Sequence, residues 1–328
     1  MRGPPDQLKD QEHRVRTLLQ VAAMLQTAIA PDDLIALLPE GPVRTSEDLK
    51  VWLSAHPGTG SFEEDRVRPA GTFASSAVLE GRRAVAEEQW KHALEELPEV
   101  LGPSLGLVRC VVVTGSVAYG EAADESDLDL FVITRRGALW PFLLYVYAAL
   151  RFHPRAGGRV WCFNHVVDED EVERYLASRR GVLEARELLV ARPVVGEAFY
   201  RQFLASTPWV QEALPRLYAR WRLPTCGRPA PAHPAPVLVR LLNLVGFPLL
   251  ATYLQLKGTW ISGRQRRMGR TKEAFRSVTG LRKFFLLSGK FDQLRQTYAR
   301  DRGQGPTHGD EALARPRGPL VLAVTSDL

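Results

Sequence analysis

Two short apolar runs, residues 108–113 and 130–133, dominate the hydrophobic pattern and predict two buried strands. Thr114-Gly115-Ser116 follows the first run and is typical of a tight turn into a short helix. Asp127 and Asp129 lead into the second run. Because alternate residues of a strand point to the same face, the two aspartates are predicted to lie side by side.

The first seventy residues have the apolar spacing of a small helical module. Residues 12–29 repeat with helical period, Pro31 begins a second helix, and Thr45 opens a third. A short extended segment over 66–73 follows. Three helices and a β wing predict a winged helix-turn-helix.

Later segments alternate between helix and strand. Helices are predicted over 77–97, 139–152 and 182–190, and a third strand over 159–167. The stretch 237–256 contains Arg240 and Pro248, which favours a buried or amphipathic helix pair over a membrane-spanning helix.

Composition changes along the chain predict five parts. Residues 224–236 hold five prolines and read as a linker. The predicted parts are a winged-helix-like module over 1–75, a central domain over 76–222, a Pro-rich linker over 223–236, a basic helical segment over 237–303 and a flexible tail over 304–328.

Charge and cysteine content limit the class of protein. The net charge of +6 is concentrated in residues 261–303, which carry twelve Lys/Arg and three Asp/Glu. Cys110, Cys162 and Cys226 are few and widely spaced, which argues against a disulfide framework or a zinc site. The polar N-terminus lacks a signal core. A reducing, cytoplasmic location is therefore predicted.

The residues around the Gly-Ser turn suit phosphate and metal chemistry. Asp127 and Asp129 supply hard oxygen ligands for Mg²⁺ or Mn²⁺. Gly115 allows close backbone approach to a phosphate, and Ser116 adds a hydroxyl and an N–H at the start of a helix. A nucleoside triphosphate carried by a divalent metal is the predicted ligand.

This pattern resembles the polymerase-β-like nucleotidyltransferase superfamily, in which a strand and Gly-Ser precede Asp-x-Asp between apolar residues. A closer resemblance is to bacterial nucleotidyltransferase-domain proteins with an N-terminal winged helix. Three further segments carry it: Gly137-Ala138-Leu139-Trp140, Cys162-Phe163-Asn164 and Glu184-Ala185-Arg186-Glu187. The resemblance covers most of residues 10–215 and, more loosely, residues 237–300.

The resemblance implies an α+β fold with a small mixed sheet and helices, preceded by the winged helix and followed by the basic segment. It implies Mg-dependent transfer of a nucleoside monophosphate from a triphosphate to a hydroxyl acceptor. Asp127 and Asp129 are the implied catalytic and metal-binding residues, and Gly115, Ser116 and Asn164 the implied nucleotide-binding residues.

The third strand departs from the superfamily pattern, whose active members usually carry a third carboxylate there. Cys162 and Asn164 occupy the alternating positions, and Asp168 lies just past the strand. Asn164 cannot act as a general base. A catalytically weak or inactive nucleotidyltransferase-fold protein that binds nucleotide or nucleic acid is therefore the alternative. A protein-interaction scaffold is a third option.

Other residues have competing interpretations. The basic segment could contact nucleic acid over 264–290 or touch anionic lipid, and could equally be a solvated face. DNA reading by the N-terminal module is disfavoured because Glu47 and Asp48 begin its third helix. Trp140 is favoured as a core anchor, and His165 as a core residue facing away from Asn164. The acceptor and the oligomeric state are not predicted.

Overall fold

The structure is a computed structural model that describes residues 4–71, 74–123, 126–152, 161–177, 180–221, 234–267 and 275–300. The predicted flexible tail over 304–328 lies outside these ranges. Residues 223–233, which form most of the predicted linker, lie outside them as well.

The N-terminal module contains the expected helices and a two-stranded antiparallel hairpin. Its elements are α1 (Pro4–Leu25), α2 (Pro31–Ala36), α3 (Ser46–Ala55), β1 (Gly60–Glu63) and β2 (Arg66–Pro69). The first helix begins eight residues before its predicted start. At α3, the acids that oppose DNA binding have a local role, since Asp48 and Thr45 form a reciprocal capping box.

A mixed six-stranded sheet forms the centre of the molecule. Its strands are β3 (Val108–Val113), β4 (Leu128–Thr134), β5 (Trp161–Asp168), β6 (Arg192–Val195), β7 (Phe275–Gly280) and β8 (Lys283–Ser288), in the order β6-β3-β4-β5-β8-β7. The β4–β5 pair is parallel and the other neighbours are antiparallel. The α+β class with a small mixed sheet is therefore confirmed.

Helices connect the strands and cover the sheet. The first group contains α4 (Ser76–Leu101), a 3₁₀ turn (Gly102–Leu107), α5 (Gly115–Tyr119), α6 (Leu139–Phe152), α7 (Glu169–Ala177) and α8 (Val182–Val190). The second group contains α9 (Glu197–Ala205), α10 (Pro208–Ala213), α11 (Pro215–Arg220), α12 (Val237–Arg267) and α13 (Gly289–Arg300).

Alternating residues of the central strands divide the interior into two cores. One face of the sheet, with Phe131 and Ile133, packs against α7 to α11, α13 and the N-terminal module. The opposite face, with Leu130 and Val132, packs against α4, α6 and α12. Because β4 is buried on both faces, it appears in the sequence as a continuous apolar run.

The C-terminal part differs from its predicted form. Residues 237–303 were expected to be helical, but β7 and β8 form a hairpin, and β8 pairs with β5. The region 237–256 belongs to one continuous helix with Pro248 inside it, so the predicted helix pair is wrong. The C-terminal segment completes the sheet of the central domain.

Helix α12 is fixed to the start of α6 by a buried side chain. The backbone N–H of Trp140 donates a 2.9 Å hydrogen bond to Oδ1 of Asn243, whose side chain belongs to a residue only 4% exposed. The first N–H groups of a helix lack partners within it, so Asn243 caps α6 from a distant segment. The Trp140 ring is fully buried against Phe247, as expected of a core anchor.

Replacing Asn243 tests this cap. We expect Asn243→Ala to lower the free energy of unfolding by about 1–2 kcal/mol, because the Trp140 N–H is left buried without its acceptor. Leu244→Ala, at the next and exposed position, is the control and is expected to stay within about 0.5 kcal/mol of wild type. Equal losses in urea denaturation of both variants would contradict the cap.

Candidate functional site

The turn between β3 and α5 comes into close contact with the start of β4. The Thr114 N–H donates a 2.8 Å hydrogen bond to the Asp129 carbonyl. Gly115 has φ +65°, and a Cβ at this position would collide with Oδ2 of Asp129. Glycine is therefore required at 115 both for its backbone conformation and for the space that Asp129 occupies.

The two predicted aspartates are brought together at this turn. Asp129 lies in β4, and Asp127 lies one residue before the strand. Asp129 is paired in register with Cys162 of the parallel strand β5. The Cys162 thiol lies 3.4 Å from Oδ2 of Asp127 and donates to it. Asp127, Asp129 and Cys162 thus form one cluster beside Gly115.

An irregularity in the β4–β5 ladder brings Asn164 into the same cluster. Asp129 pairs with Cys162 but Phe131 pairs with His165, so β5 has one residue more than β4 between these pairs. Such a bulge redirects the local side chains. The Asn164 amide donates a short hydrogen bond to Oδ1 of Asp129. The predicted nucleotide-binding residue therefore touches the predicted metal ligand.

The same bulge changes the position of His165. The ring packs near Phe131, Tyr175 and Phe285, on the sheet face that also carries Asp129. The ring packs among aromatic side chains but is only partly buried, so His165 lies at the border of the core rather than in it. The expectation that His165 faces away from Asn164 is wrong, because the extra residue interrupts strand alternation.

Burial affects the acid–base properties of this cluster. Partial burial raises the pKa of Asp127, and the Cys162 hydrogen bond opposes that shift. Burial, with the nearby carboxylates of Asp127 and Asp129, raises the pKa of the Cys162 thiol, which stays protonated. The partner identified for Asp127 is therefore a neutral donor rather than a cation.

Asp168 does not complete the site as a third carboxylate. It pairs with Thr134, five residues beyond Asp129 on β4, which places it about 16 Å away along the strand. Its carboxylate is fully buried and accepts the N–H groups of Gly137 at 2.6 Å and Asp170 at 3.2 Å. Asp168 thus stabilises the chain after β4 and the start of α7.

Arg135 and Arg136, two cations that could meet a triphosphate, follow β4 at the same distant end. The Arg136 guanidinium forms a 2.9 Å ion pair with Asp170, and its backbone N–H binds Glu169. These contacts fix the distal end of the sheet and do not bring Arg136 to the aspartates.

A carboxylate that sequence reasoning did not select lies against α5. The Glu187 side chain accepts a hydrogen bond from the Tyr119 hydroxyl at 2.6 Å. Burial raises the pKa of Glu187, while the Tyr119 hydroxyl, Arg186 and the nearby Gly115 N–H oppose the shift. Glu187 therefore holds the C-terminal end of α5. The segment 184–187 gave the only signal, through the family resemblance.

The nucleic-acid contact over 264–290 receives no support from the aromatic residues near it. Phe284, Phe285 and Tyr298 are buried in the two cores and cannot stack on bases. Arg270 and Lys272 lie outside the described residues.

The candidate metal ligands number two carboxylates. Among the residues that the structure describes, His, Cys, Asp and Glu side chains form no group of three or more arranged to hold a metal ion. Asp127 and Asp129 with Asn164 nevertheless provide the oxygen-rich chemistry that Mg²⁺ prefers.

Comparison with known proteins agrees with the central part of this site. Residues 94–180 match a family model described as a nucleotidyltransferase domain. The match spans β3, α5, β4 and β5, and supports the polymerase-β-like superfamily for this region. No curated protein and no solved structure matches the chain significantly. Glu187 and the N-terminal module lie outside the matched range.

Gly115 and Gly120 have similar backbone conformations, so substituting each one distinguishes the cost of backbone strain from the cost of a steric collision. Gly115 and Gly120 have φ +65° and +73°, but a Cβ at 120 meets nothing within 4 Å. We expect Gly120→Ala to cost about 1 kcal/mol of stability. Gly115→Ala should cost at least about 1 kcal/mol more, because Asp129 must move. Similar unfolding free energies for the two variants would show that the Gly115–Asp129 approach is unimportant.

Proposed function

We propose that the protein transfers a nucleoside monophosphate from a nucleoside triphosphate to a hydroxyl acceptor in the cytoplasm, with Mg²⁺ or Mn²⁺. The observation that carries this proposal is the meeting of Asp127 and Asp129 beside the Gly115-Ser116 turn. The nucleotidyltransferase-domain match over residues 94–180 supports the same reaction class.

Asp127 and Asp129 are the proposed metal ligands. A desolvated carboxylate whose identified partner is a thiol gains from a nearby cation, which favours its ionised form. Bound Mg²⁺ supplies charge stabilisation at the triphosphate oxygens. Asn164 holds the Asp129 carboxylate in place and leaves its other oxygen directed toward the Gly115 turn.

Gly115 and Ser116 are the proposed contacts of the triphosphate. The Gly115 N–H lies near the Glu187 carboxylate, and the Ser116 hydroxyl and N–H are the groups proposed to bind phosphate oxygens. Glu187 acts as a positioning residue, since it fixes the helix that presents Ser116.

In the proposed reaction the acceptor oxygen forms a bond to the α-phosphorus, and the bond from that phosphorus to the bridging oxygen breaks. Pyrophosphate leaves and the hydroxyl proton passes to solvent. The side chains of β5 that join this cluster, Cys162 and Asn164, provide no general base. The residues of this cluster therefore favour catalysis by positioning and charge stabilisation.

The N-terminal module is proposed to be a winged helix used for internal packing. Arg216 of α11 donates to the Val43 carbonyl at 2.9 Å, and Arg220 pairs with Asp33 at 2.9 Å. These contacts fix α2 and the loop before α3 against the central domain. Such docking fits a structural role better than DNA reading.

A turnover assay tests the proposed activity. We expect labelled nucleoside monophosphate to be transferred from a triphosphate to one of a panel of hydroxyl acceptors in the presence of Mg²⁺. Asp129→Asn should reduce the rate at least about 100-fold. Asp65→Asn, in an exposed turn, is the matched control and should retain the wild-type rate. Nucleotide binding without any transfer would indicate the inactive regulator instead.

A thermal-shift measurement tests the metal site independently of turnover. Mg²⁺ with nucleotide should raise the melting temperature of the wild type by about 2 °C or more. Asp127→Asn should melt higher than wild type without metal, because a desolvated charge has been removed, and should lose the Mg²⁺ response. An Asp127→Asn variant that responds to Mg²⁺ as strongly as Asp65→Asn would refute the assignment.

A further inference from the structure

The first twenty residues of α12 carry an apolar surface that no other described part of the chain covers. Residues 237–256 have a mean hydropathy of 1.8, and 28% of this stretch is buried. Nine of its large apolar side chains are exposed, each by about half or more. We call them the α12 apolar surface: Val237, Leu238, Leu241, Leu242, Leu244, Val245, Leu249, Tyr253 and Leu256. Contiguous exposed apolar area of this kind marks an interaction site.

The opposite side of the same helix belongs to the protein core. Asn243, Leu250 and Leu254 are buried, at the spacing of a narrow helical stripe. Asn243 caps α6, and the other two belong to the core that contains Trp140. By length and composition the helix could cross a membrane. Crossing would pull this stripe out of the core, so a position along a surface is favoured.

Helix α6 extends the exposed apolar area. Asn243 binds at Trp140, and Gly246 packs near Leu144, so α6 and α12 advance in the same direction. Leu144 is 41% exposed and lies beside Gly246 of α12.

The charge of the sequence around this surface has one sign. Residues 237–272 contain no Asp or Glu. Their seven basic residues are Arg240, Lys257, Arg264, Arg266, Arg267, Arg270 and Lys272. Six of them follow the α12 apolar surface within sixteen residues. An apolar helical face followed by a polybasic segment matches the two components of a bilayer surface that bears anionic headgroups.

We propose that the α12 apolar surface docks on anionic phospholipid bilayers, with the helix axis in the plane of the headgroup–acyl boundary. The positive charge of the sequence that follows this surface favours anionic over neutral lipid. A second copy of the chain fits less well, because this stretch offers no acidic residue to the basic segment of another copy. Nucleic acid fits less well, because phosphates gain nothing from nine apolar side chains.

The position of the candidate active site is compatible with this docking. Asp129 lies on the sheet face that packs against α7 to α11, whereas α12 covers the opposite face. The bilayer would therefore meet the molecule on the side away from the aspartates. The proposal does not depend on the proposed nucleotidyl transfer.

Vesicle co-sedimentation of the full chain tests the proposal. We expect binding to vesicles of phosphatidylcholine with about 30% phosphatidylglycerol, and at least tenfold weaker binding to phosphatidylcholine alone. Leu241→Ser/Leu244→Ser/Leu249→Ser should bind anionic vesicles about 100-fold more weakly, since three exposed leucines no longer enter lipid. The matched control is Val51→Ser/Val78→Ser/Leu94→Ser, which removes exposed apolar residues from other helices.

Four outcomes would overturn the proposal. In the first two, wild-type protein stays in the supernatant with anionic vesicles, or the leucine triple variant binds as well as its control. In the third, the bound protein resists extraction by alkaline carbonate, as a membrane-spanning helix would. In the fourth, light scattering detects a dimer that only the leucine variant loses. If RNA displaces the wild type and the leucine variant from vesicles equally well, the basic segment binds nucleic acid rather than lipid. An unchanged melting temperature of the leucine variant shows that it folds.

Discussion

The close approach of the Gly115 backbone to the Asp129 carboxylate is the constraint on which the site depends. It holds the end of β3 against the start of β4, together with the hydrogen bond from the Thr114 N–H. Asn164 fixes the same carboxylate from β5, and Glu187 fixes α5 from the other side. Because Gly115 has no Cβ, the turn before α5 can pack against the Asp129 carboxylate, where β4 and β5 also meet.

The local parts of this arrangement could be read from the sequence. Helices α6 and α8 have the predicted bounds, because their apolar spacing is decided within the segment. Gly115 lies against Asp129, because a turn between two strands leads to that contact, and Asp127 is linked to this pair through Cys162. The position of His165 was wrong because one extra residue in β5 reverses the alternation, and a bulge leaves no sign in apolar periodicity.

The non-local parts could not be read in this way. Strand β6 contains Pro193 and pairs at a sheet edge, and β8 exists because β5 offers it unpaired backbone groups. Glu187 binds Tyr119 across 68 residues of chain. Each of these contacts is decided by a partner far away in sequence, so composition alone indicated a linker-separated helical segment where a hairpin completes the sheet.

The late position of β8 has a consequence for biogenesis. Strand β5 ends at Asp168, whereas its neighbour begins at Lys283. At ribosomal elongation rates this interval lasts roughly 6–23 s. Throughout that time the edge of β5 is unpaired in the nascent chain, and the start of α6 lacks the cap that Asn243 later supplies. Until β8 is synthesised, the edge of β5 is therefore open to non-native strand pairing.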